Sequence, residues 1–326
     1  MAEFEARTFE ELFQQTKALM WEALIPPDGK FTVTGTSVKS QLHSVPACQG
    51  ICKKAIASRL GEAYLMETLP ETGAEYTVKV TILKDRVTLT VDTSGSGLHK
   101  RGYRVKTVAA PIKETLAAAM VQLSFWNKDR VLLDPCCGSG TIAIEAAMIG
   151  RNIAPGLSRS FACEEWEAID KKLWKEEKKR AYDLMDDEAK LDIVAIDIDK
   201  MAIEAAKENA IEAGVDDCIR FINADMARIK SSKPSGIIIT NPPYGERIGE
   251  QKQIAAIYSK YKKFFAENPS WSMFMVTTDK DIEAKVFGRK ADRRRKLYNG
   301  RLEVCYYQFH GKKLGDNGKA KQPEQK

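Results

Sequence analysis

The sequence predicts an α/β chain in two parts: a doubly wound, mostly parallel sheet that ends in an antiparallel hairpin, preceded by a small α+β domain. Three patterns predict it. After residue 130, short apolar runs alternate with helical stretches, as in βα units stacked into a parallel sheet. Before residue 94, helical stripes are mixed with runs of period two, without that regular alternation. Between the two regions, Ser94-Gly95-Ser96-Gly97 interrupts both patterns and reads as a linker. At 326 residues the chain is long for one average domain and suits two.

Residues 8–24 read as the first helix, with Phe9, Leu12, Phe13, Leu19 and Met20 near helical spacing and Pro26-Pro27 ending it. A strand follows at 31–38. Residues 45–60 carry Val45, Cys48, Cys52, Ile56 and Leu60 on one helical face. Those two cysteines read as small apolar core rather than a metal pair. The runs 76–82 and 87–91 alternate apolar and polar residues around Lys84-Asp85, a hairpin with one buried face. Beyond LHKRGYRVK (98–106), Pro111 opens a helix that runs to about residue 126.

Arg130–Asp134 is a short apolar run, followed by Gly138-Ser139-Gly140 and a small-residue helix, TIAIEAAMIG. Residues 164–190 form a charged helical insert. Its apolar stripe of Trp166, Ile169, Leu173, Ala181 and Leu184 is expected to dock on the sheet. A strand at 192–198 and a helix at 200–213 come next. Further strands fall at 219–223, 236–240, 272–277 and 302–309, and helices at 251–267 and 279–286. Asn299-Gly300 lies between 294–298 and 302–309, so a hairpin is expected to close the sheet. The expected divisions are 1–97 for the α+β domain, 98–110 for the linker, 111–310 for the α/β domain and 311–326 for a disordered, lysine- and glutamine-rich tail.

Composition narrows the possible functions. With 44% hydrophobic and 29% charged residues, the chain is neither disordered nor collagen-like. No apolar run is long enough to span a bilayer, and the opening MAEFEART has no apolar stretch of a secretory signal, so a cytoplasmic location is expected. Lysine and arginine number 51 against 45 acids, an excess that permits a polyanionic partner without demanding one. Seven cysteines without a C-x-x-C pair, and only three histidines, point to reduced thiols and no metal site.

Four segments carry chemistry, each at the end of an expected strand. In Asp134-Pro-Cys-Cys-Gly-Ser-Gly-Thr141 an acid precedes a glycine turn that opens a helix, where backbone amides can meet an anionic group. Taken alone, Gly138-x-Gly140-x-x-Ala143 also satisfies a dinucleotide fingerprint. Asp197-Ile198-Asp199 offers an acid for ribose hydroxyls, with Asp199 placed to cap the next helix. Asn223-Ala-Asp225 offers a carboxylate for an adenine amino group. In Asn241-Pro-Pro-Tyr244, two prolines fix a loop whose amide oxygen and main-chain carbonyl can both accept from one NH₂ group. The ring of Tyr244 can stack on a planar base.

In combination, D-P-x-C-G-S-G-T and N-P-P-Y resemble the class I S-adenosylmethionine-dependent amino-methyltransferases. LHKRGYR, the A-P-I-K-E-T-L helix and N-P-P-Y-G-E-R are similar to the THUMP-containing RNA guanine-N2 methyltransferases, nearest to the bacterial type that modifies large-subunit ribosomal RNA. The resemblance extends to about residue 310. It implies a Rossmann-like class I methyltransferase sheet behind a THUMP-like RNA-binding domain. Those enzymes usually begin with a ferredoxin-like subdomain, which is expected to be missing here because the chain starts almost within the THUMP portion.

The resemblance also implies roles. Asp134, Cys136, Gly138, Gly140 and Thr141 would hold the methionine part of S-adenosylmethionine, and Asp197 the ribose. Asp225 would bind the adenine amino group, with Ile198 and Met226 flanking the ring. Asn241 and Pro242 would grip the target amine, with Pro243 fixing the loop and Tyr244 stacking on the base. The expected partner is RNA, in particular 23S ribosomal RNA. Two basic stretches are candidate phosphate contacts: Lys100, Arg101, Arg104 and Lys106, and the run Arg289 to Lys296 containing Arg293, Arg294 and Arg295. Three rivals stay open: an adenine-N6 methyltransferase of DNA or RNA, a nicotinamide oxidoreductase, and a non-catalytic RNA-binding or ribosome assembly factor.

Overall fold

The computed structural model describes residues 2–108, 111–228, 233–244 and 250–313. Most of the tail expected to be disordered lies outside them, as do 109–110 of the linker and 245–247 of the N-P-P-Y-G-E-R stretch. The chain divides into two units, Met1–Leu98 with Ser160–Arg180, and His99–Arg159 with Ala181–Lys326.

The first unit contains β1 (Ala2–Glu5), α1 (Phe9–Lys17), β2 (Lys30–Val38), α2 (Val45–Tyr64), β3 (Glu75–Leu83) and β4 (Arg86–Asp92), with strand order β1-β4-β3-β2. β2 and β3 run parallel, and the other pairs are antiparallel. A capping box starts α1: the Glu11 amide donates to Thr8 Oγ1 and the Thr8 amide to Glu11 Oε2. The helix ends at Lys17, short of the expected residue 24. Buried Trp21 pulls the chain inward by donating its indole N–H to the Thr16 carbonyl, and a 3₁₀ turn covers Trp21–Ala23. β1 has no signature in the sequence pattern, since it is an edge strand too short to show a period and owes its conformation to pairing with β4. Lys84 and Asp85 both take positive φ, +52° and +64°, the twist a two-residue hairpin loop requires. Tyr76, Val78, Val80, Ile82, Val87 and Leu89 form a core with Cys48, Cys52, Ile56 and Leu60, so the cysteine pair is apolar core as expected.

Residues 160–180 correct the expectation for the insert. Cys163 and Trp166 are buried in the first unit's core, and Phe161, Ile169 and Trp174 pack against it. Trp166 stacks on Tyr76 with centroids 4.8 Å apart and donates its indole N–H to the Glu75 carbonyl at 3.0 Å. The helix of the insert, α5 (Lys171–Asp183), has no buried residue, and Leu173 and Leu184 are exposed. Helical spacing was the wrong guide, because the buried Cys163 and Trp166 stand before the helix, and α5 itself adds only the partly buried Trp174 to this core.

The second unit holds α3 (Glu114–Gln122), β5 (Leu132–Asp134), α4 (Thr141–Gly150), β6 (Ile193–Asp197), α6 (Lys200–Glu212), β7 (Ile219–Asn223), β8 (Ile237–Thr240), α7 (Glu250–Glu267), β9 (Ser272–Thr277), β10 (Arg293–Asn299) and β11 (Leu302–Phe309). Its seven strands lie in the order β10-β11-β9-β8-β5-β6-β7. β11 is antiparallel to both β9 and β10. The other adjacent pairs are parallel. The closing hairpin exists as expected, but its two-residue loop is Gly300-Arg301: Asn299 pairs with Leu302, and Gly300 takes φ +66°. The expected helix at 279–286 is a π-helical turn, Glu283–Phe287.

Alternate residues of the same strands feed two cores. Leu132, Ile193, Ala195, Ile237, Ile239 and Phe274 pack with α3, α4 and α6 on one face. Leu133, Val194, Ile196, Ile238, Met273 and Met275 pack with Tyr258, Tyr261 and Phe264 of α7 on the other. Helices thus cover both faces, and successive connections leave β5 toward β6 on one side while β8 lies on the other. Such a switch point opens a crevice at the carboxyl ends of the strands.

Replacing Trp166 by alanine is expected to cost about 3–5 kcal/mol in urea unfolding, because it empties a core position. Leu173→Ala is expected to stay within about 0.5 kcal/mol, as for a surface change. The reverse ranking would show that the stripe docks through its helix after all.

Candidate active site

The loops after β5, β6, β7 and β8 converge on a cavity of about 680 Å³. Asp134, Cys136, Gly138, Thr141, Asp197, Ile198, Asp225, Met226, Asn241, Pro242, Pro243 and Tyr244 all line it, so the four segments far apart in sequence come together. Gly140 does not line it. It has φ +83°, and a Cβ there would stand 2.9 Å from the Ala206 Cβ, so this glycine lets α4 start close against α6.

The glycine turn is tied down on two sides. The Gly138 amide donates to Asp197 Oδ2 at 2.9 Å, and the Asp199 amide to Asp197 Oδ1 at 3.0 Å. Asp199 caps α6 as expected, accepting from the Met201 amide at 2.8 Å. On the other side, buried Asn209 donates to the carbonyls of Ser139 and Lys106 and accepts from the amides of Val105 and Lys106.

Asp134 is 1% exposed. Its Oδ1 accepts from the Cys136 amide at 3.3 Å, while its Oδ2 is buried with no hydrogen-bond partner. Burial pushes this carboxyl up to about 8, against the pull of the Cys136 amide and helped by the nearby Asp197 charge. An orphaned buried acceptor of this kind calls for an N–H or ammonium donor from a ligand. Burial also pushes the Cys136 thiol up to about 12, so it stays protonated and unsuited to nucleophilic attack.

Asn241 and Tyr244 are linked, the tyrosine hydroxyl donating to Asn241 Oδ1 at 2.6 Å. Behind them Tyr261 of α7, fully buried, hydrogen-bonds Thr240 Oγ1 at 3.1 Å and meets Cys136 Sγ at 3.7 Å, which braces the ends of β8 and β5 together. Asp225 makes an ion pair with Lys260, whose Nζ lies 2.7 Å from each carboxylate oxygen. Ala256, Ile257 and Lys260 of α7 line the cavity too. Sequence reasoning missed this contribution, because nothing in the helix pattern marks which face of α7 meets the loop after β7.

The basic stretches part company. Arg101 ion-pairs with Glu145, which is 2% exposed and also accepts from Tyr103 Oη at 3.0 Å. Arg104 bonds Glu114, Ser139, Thr141 and the Ile112 carbonyl. Both guanidiniums bond internal acceptors, and Arg104 reaches the glycine turn through Ser139 and Thr141. Releasing either arginine to a phosphate would leave a buried carboxylate behind, which is costly. Lys106 pairs with Glu208 on the surface. Lys100 is exposed, as are Arg293, Arg294 and Arg295 on the edge strand β10.

A doubly wound sheet with β11 reversed, acids ending β5 and β6, a glycine turn, and an Asn-Pro-Pro-Tyr loop after β8 define an S-adenosylmethionine-dependent methyltransferase of class I. Residues 101–308 match the RMKL-like methyltransferase domain, and residues 6–92 match the THUMP domain. The chain belongs to the RMKL-like methyltransferase family. It is 49% identical to YpsC of Bacillus subtilis (strain 168), over 96% of this chain and 81% of that protein. It is 34% identical to the ribosomal RNA large subunit methyltransferase K/L of Shewanella baltica (strain OS155), over 92% of this chain, but spans only 44% of that longer protein. Among solved structures, a protein of Listeria monocytogenes described as a predicted N6-adenine-specific DNA methylase superposes with a TM-score of 0.90 at 47% identity, covering 95% of this chain and 81% of that one. SMU.472, solved in complex with S-adenosylhomocysteine (SAH), also gives 0.90, at 45% identity, covering 96% and 83%. Among the described residues no helix is long and apolar enough to cross a membrane.

The raised Asp134 carboxyl has a measurable consequence. Between its unfolded value of 3.8 and about 8, the folded state holds a proton that the unfolded state has released. Stability contributed by this group is therefore full below about 4 and is lost as pH rises toward 8. Asp134→Asn is expected to flatten the fall of melting temperature across that window. Parallel pH profiles for the two proteins would mean the carboxyl is ionised throughout.

Proposed function

We propose that this enzyme transfers a methyl group from S-adenosylmethionine to the exocyclic N2 amine of a guanine in RNA, with 23S ribosomal RNA in the cytoplasm as the target. The observation that carries the reading is the convergence of the orphaned Asp134 oxygen and the Asn241-Pro242-Pro243-Tyr244 loop on one cavity. The THUMP match and the large-subunit names of the K/L relatives support RNA over DNA.

S-adenosylmethionine, when bound, supplies an electrophilic sulfonium methyl. Asp134 takes the ammonium of its methionine part, which satisfies Oδ2 and favours the ionised carboxylate. Asp197 accepts from the ribose hydroxyls, Asp225 from the adenine amino group, and Ile198 and Met226 flank the ring. An aromatic amine is a poor nucleophile because its lone pair is delocalised into the ring. Asn241 Oδ1 and the Pro242 carbonyl, set on its two protons, favour a pyramidal nitrogen and stabilise the positive charge that grows as the C–N bond forms. The two prolines hold both acceptors still, so little reorganisation is needed at the moment of transfer. The target base must leave its stack to reach them. Tyr244 then serves twice. Its hydroxyl occupies Asn241 Oδ1 before substrate arrives, and its ring stacks on the base that displaces it. The exposed arginines of β10 and Lys100 meet phosphates around the extruded base.

Asn241→Ala is expected to lower methyl transfer about 100-fold, on the scale of losing one preorganised polar group, with SAH affinity kept. Tyr244→Phe should retain most activity, since stacking survives without the hydroxyl, whereas Tyr244→Ala should lose it. A phenylalanine variant as inactive as the alanine one would refute the stacking role. Neutralising Arg293, Arg294 and Arg295 together should reduce the slope of log affinity against log salt by about 0.9 for each phosphate that is no longer neutralised. Nucleoside mass spectrometry of RNA incubated with the enzyme decides the target. N2-methylguanosine supports the proposal, and N6-methyladenosine would establish the rival suggested by the Listeria structure's description.

A further inference from the structure

We propose that Tyr261 is a positioning residue for methyl transfer, whose buried hydroxyl sets the spacing between the turn that holds the methyl donor and the loop that grips the amine. This rests on the reading of the cavity given above. Among the described residues, the ladder between β5 and β8 consists of Leu132 with Ile237 and Leu133 with Ile238. Past it the sheet parts: Asp134 keeps its register with Ala195 of β6, and Thr240 keeps its own with Met275 of β9. The donor-holding segment and the Asn-Pro-Pro-Tyr loop therefore leave the sheet on either side of a gap that this ladder does not span.

Tyr261 crosses that gap from the α7 face of the sheet. It lies one turn beyond Ile257, which lines the cavity, on the same side of the helix. Its hydroxyl meets Thr240 Oγ1 at 3.1 Å, next to Asn241, and Cys136 Sγ at 3.7 Å, two residues after Asp134. Tyr261 and Thr240 are both 0% exposed, so neither hydroxyl can turn to water if the other is removed. Burial above all holds the phenol well over its ordinary value of 10, so it keeps its proton. One rigid side chain thus ties both halves of the site to a single point on α7. An internal comparison stands three residues earlier. Tyr258 reaches Thr277 Oγ1, at the end of β9, at 3.5 Å. That pair is buried too, but Thr277 ends a strand whose residues do not line the cavity.

The test compares Tyr261→Phe with Tyr258→Phe, each of which removes one buried hydroxyl and keeps its ring. The rate measured is single-turnover transfer from tritiated S-adenosylmethionine, at saturation, to total RNA of cells lacking the enzyme. It should fall about tenfold in Tyr261→Phe, a fraction of the cost of misplacing reacting groups by about 1 Å. SAH affinity by calorimetry should stay within about threefold of wild type, so that the loss falls on the chemical step. Tyr258→Phe should lose a comparable amount of melting temperature yet keep its rate. Thr240→Val should slow transfer as much as Tyr261→Phe does, and the double variant no further, as for two ends of one bond. Hydrogen exchange of peptide 237–244 in the free enzyme should quicken in Tyr261→Phe and not in Tyr258→Phe. Equal rates for the two phenylalanine variants would overturn the proposal. So would a fall in SAH affinity as large as the fall in rate, since Tyr261 would then only shape the cofactor pocket. Asn241→Ala separates the two levels. If it slows transfer while Tyr261→Phe does not, this inference alone fails. If it too transfers at the wild-type rate, the reading of the cavity fails with it.

Discussion

The Asp197 carboxylate accepts from the Gly138 amide and so fastens the turn after β5 to the end of β6. A left-handed φ of +52° at Gly138 makes that amide available at this spot, which few residues other than glycine tolerate. Asn209 holds the same turn from the opposite side through Ser139, and Arg104 reaches Ser139 and Thr141 from the segment before α3. The glycine turn is thus fixed by side chains from three separate segments, which holds the cavity wall preorganised.

A second constraint is electrostatic. Asp134, Cys136 and Tyr261 lie together with little access to water, and burial favours the neutral form of each. The floor of the cavity at Asp134 is consequently poor in charge, whereas Asp225 and Lys260 form an ion pair in another part of its lining.

The arginines around residue 100 show how composition misleads. Lys100-Arg101-Gly102-Tyr103-Arg104 reads as a basic run on the surface, yet two of its cations are consumed by Glu145 and Glu114. A linear sequence shows the cations clustered but not the buried acids that meet them, because Glu114 at the start of α3 and Glu145 within α4 are buried only by the packing of those helices. The edge strand β10 differs in that Arg293, Arg294 and Arg295 stay exposed beside a single neighbour, β11, even though Arg294 reaches Glu283 at 3.7 Å.

The sequence by itself determined the sheet class and the placement at strand ends of the four segments that line the cavity. Period-two and helical spacings report burial, and glycine, proline and acidic residues at strand ends report local backbone geometry; both are properties of neighbours along the chain. It also read Cys48 and Cys52 as core and Asp199 as a helix cap on the same local grounds. Tertiary structure alone decided that the aromatics of 160–180 complete the first unit's core, that β1 pairs with β4, that Arg101 and Arg104 turn inward, and that Lys260 faces Asp225. Each of these is a pairing between residues ten or more positions apart. Such a pairing leaves no period in the sequence, since it is fixed by which helix face or strand edge the completed sheet brings opposite it.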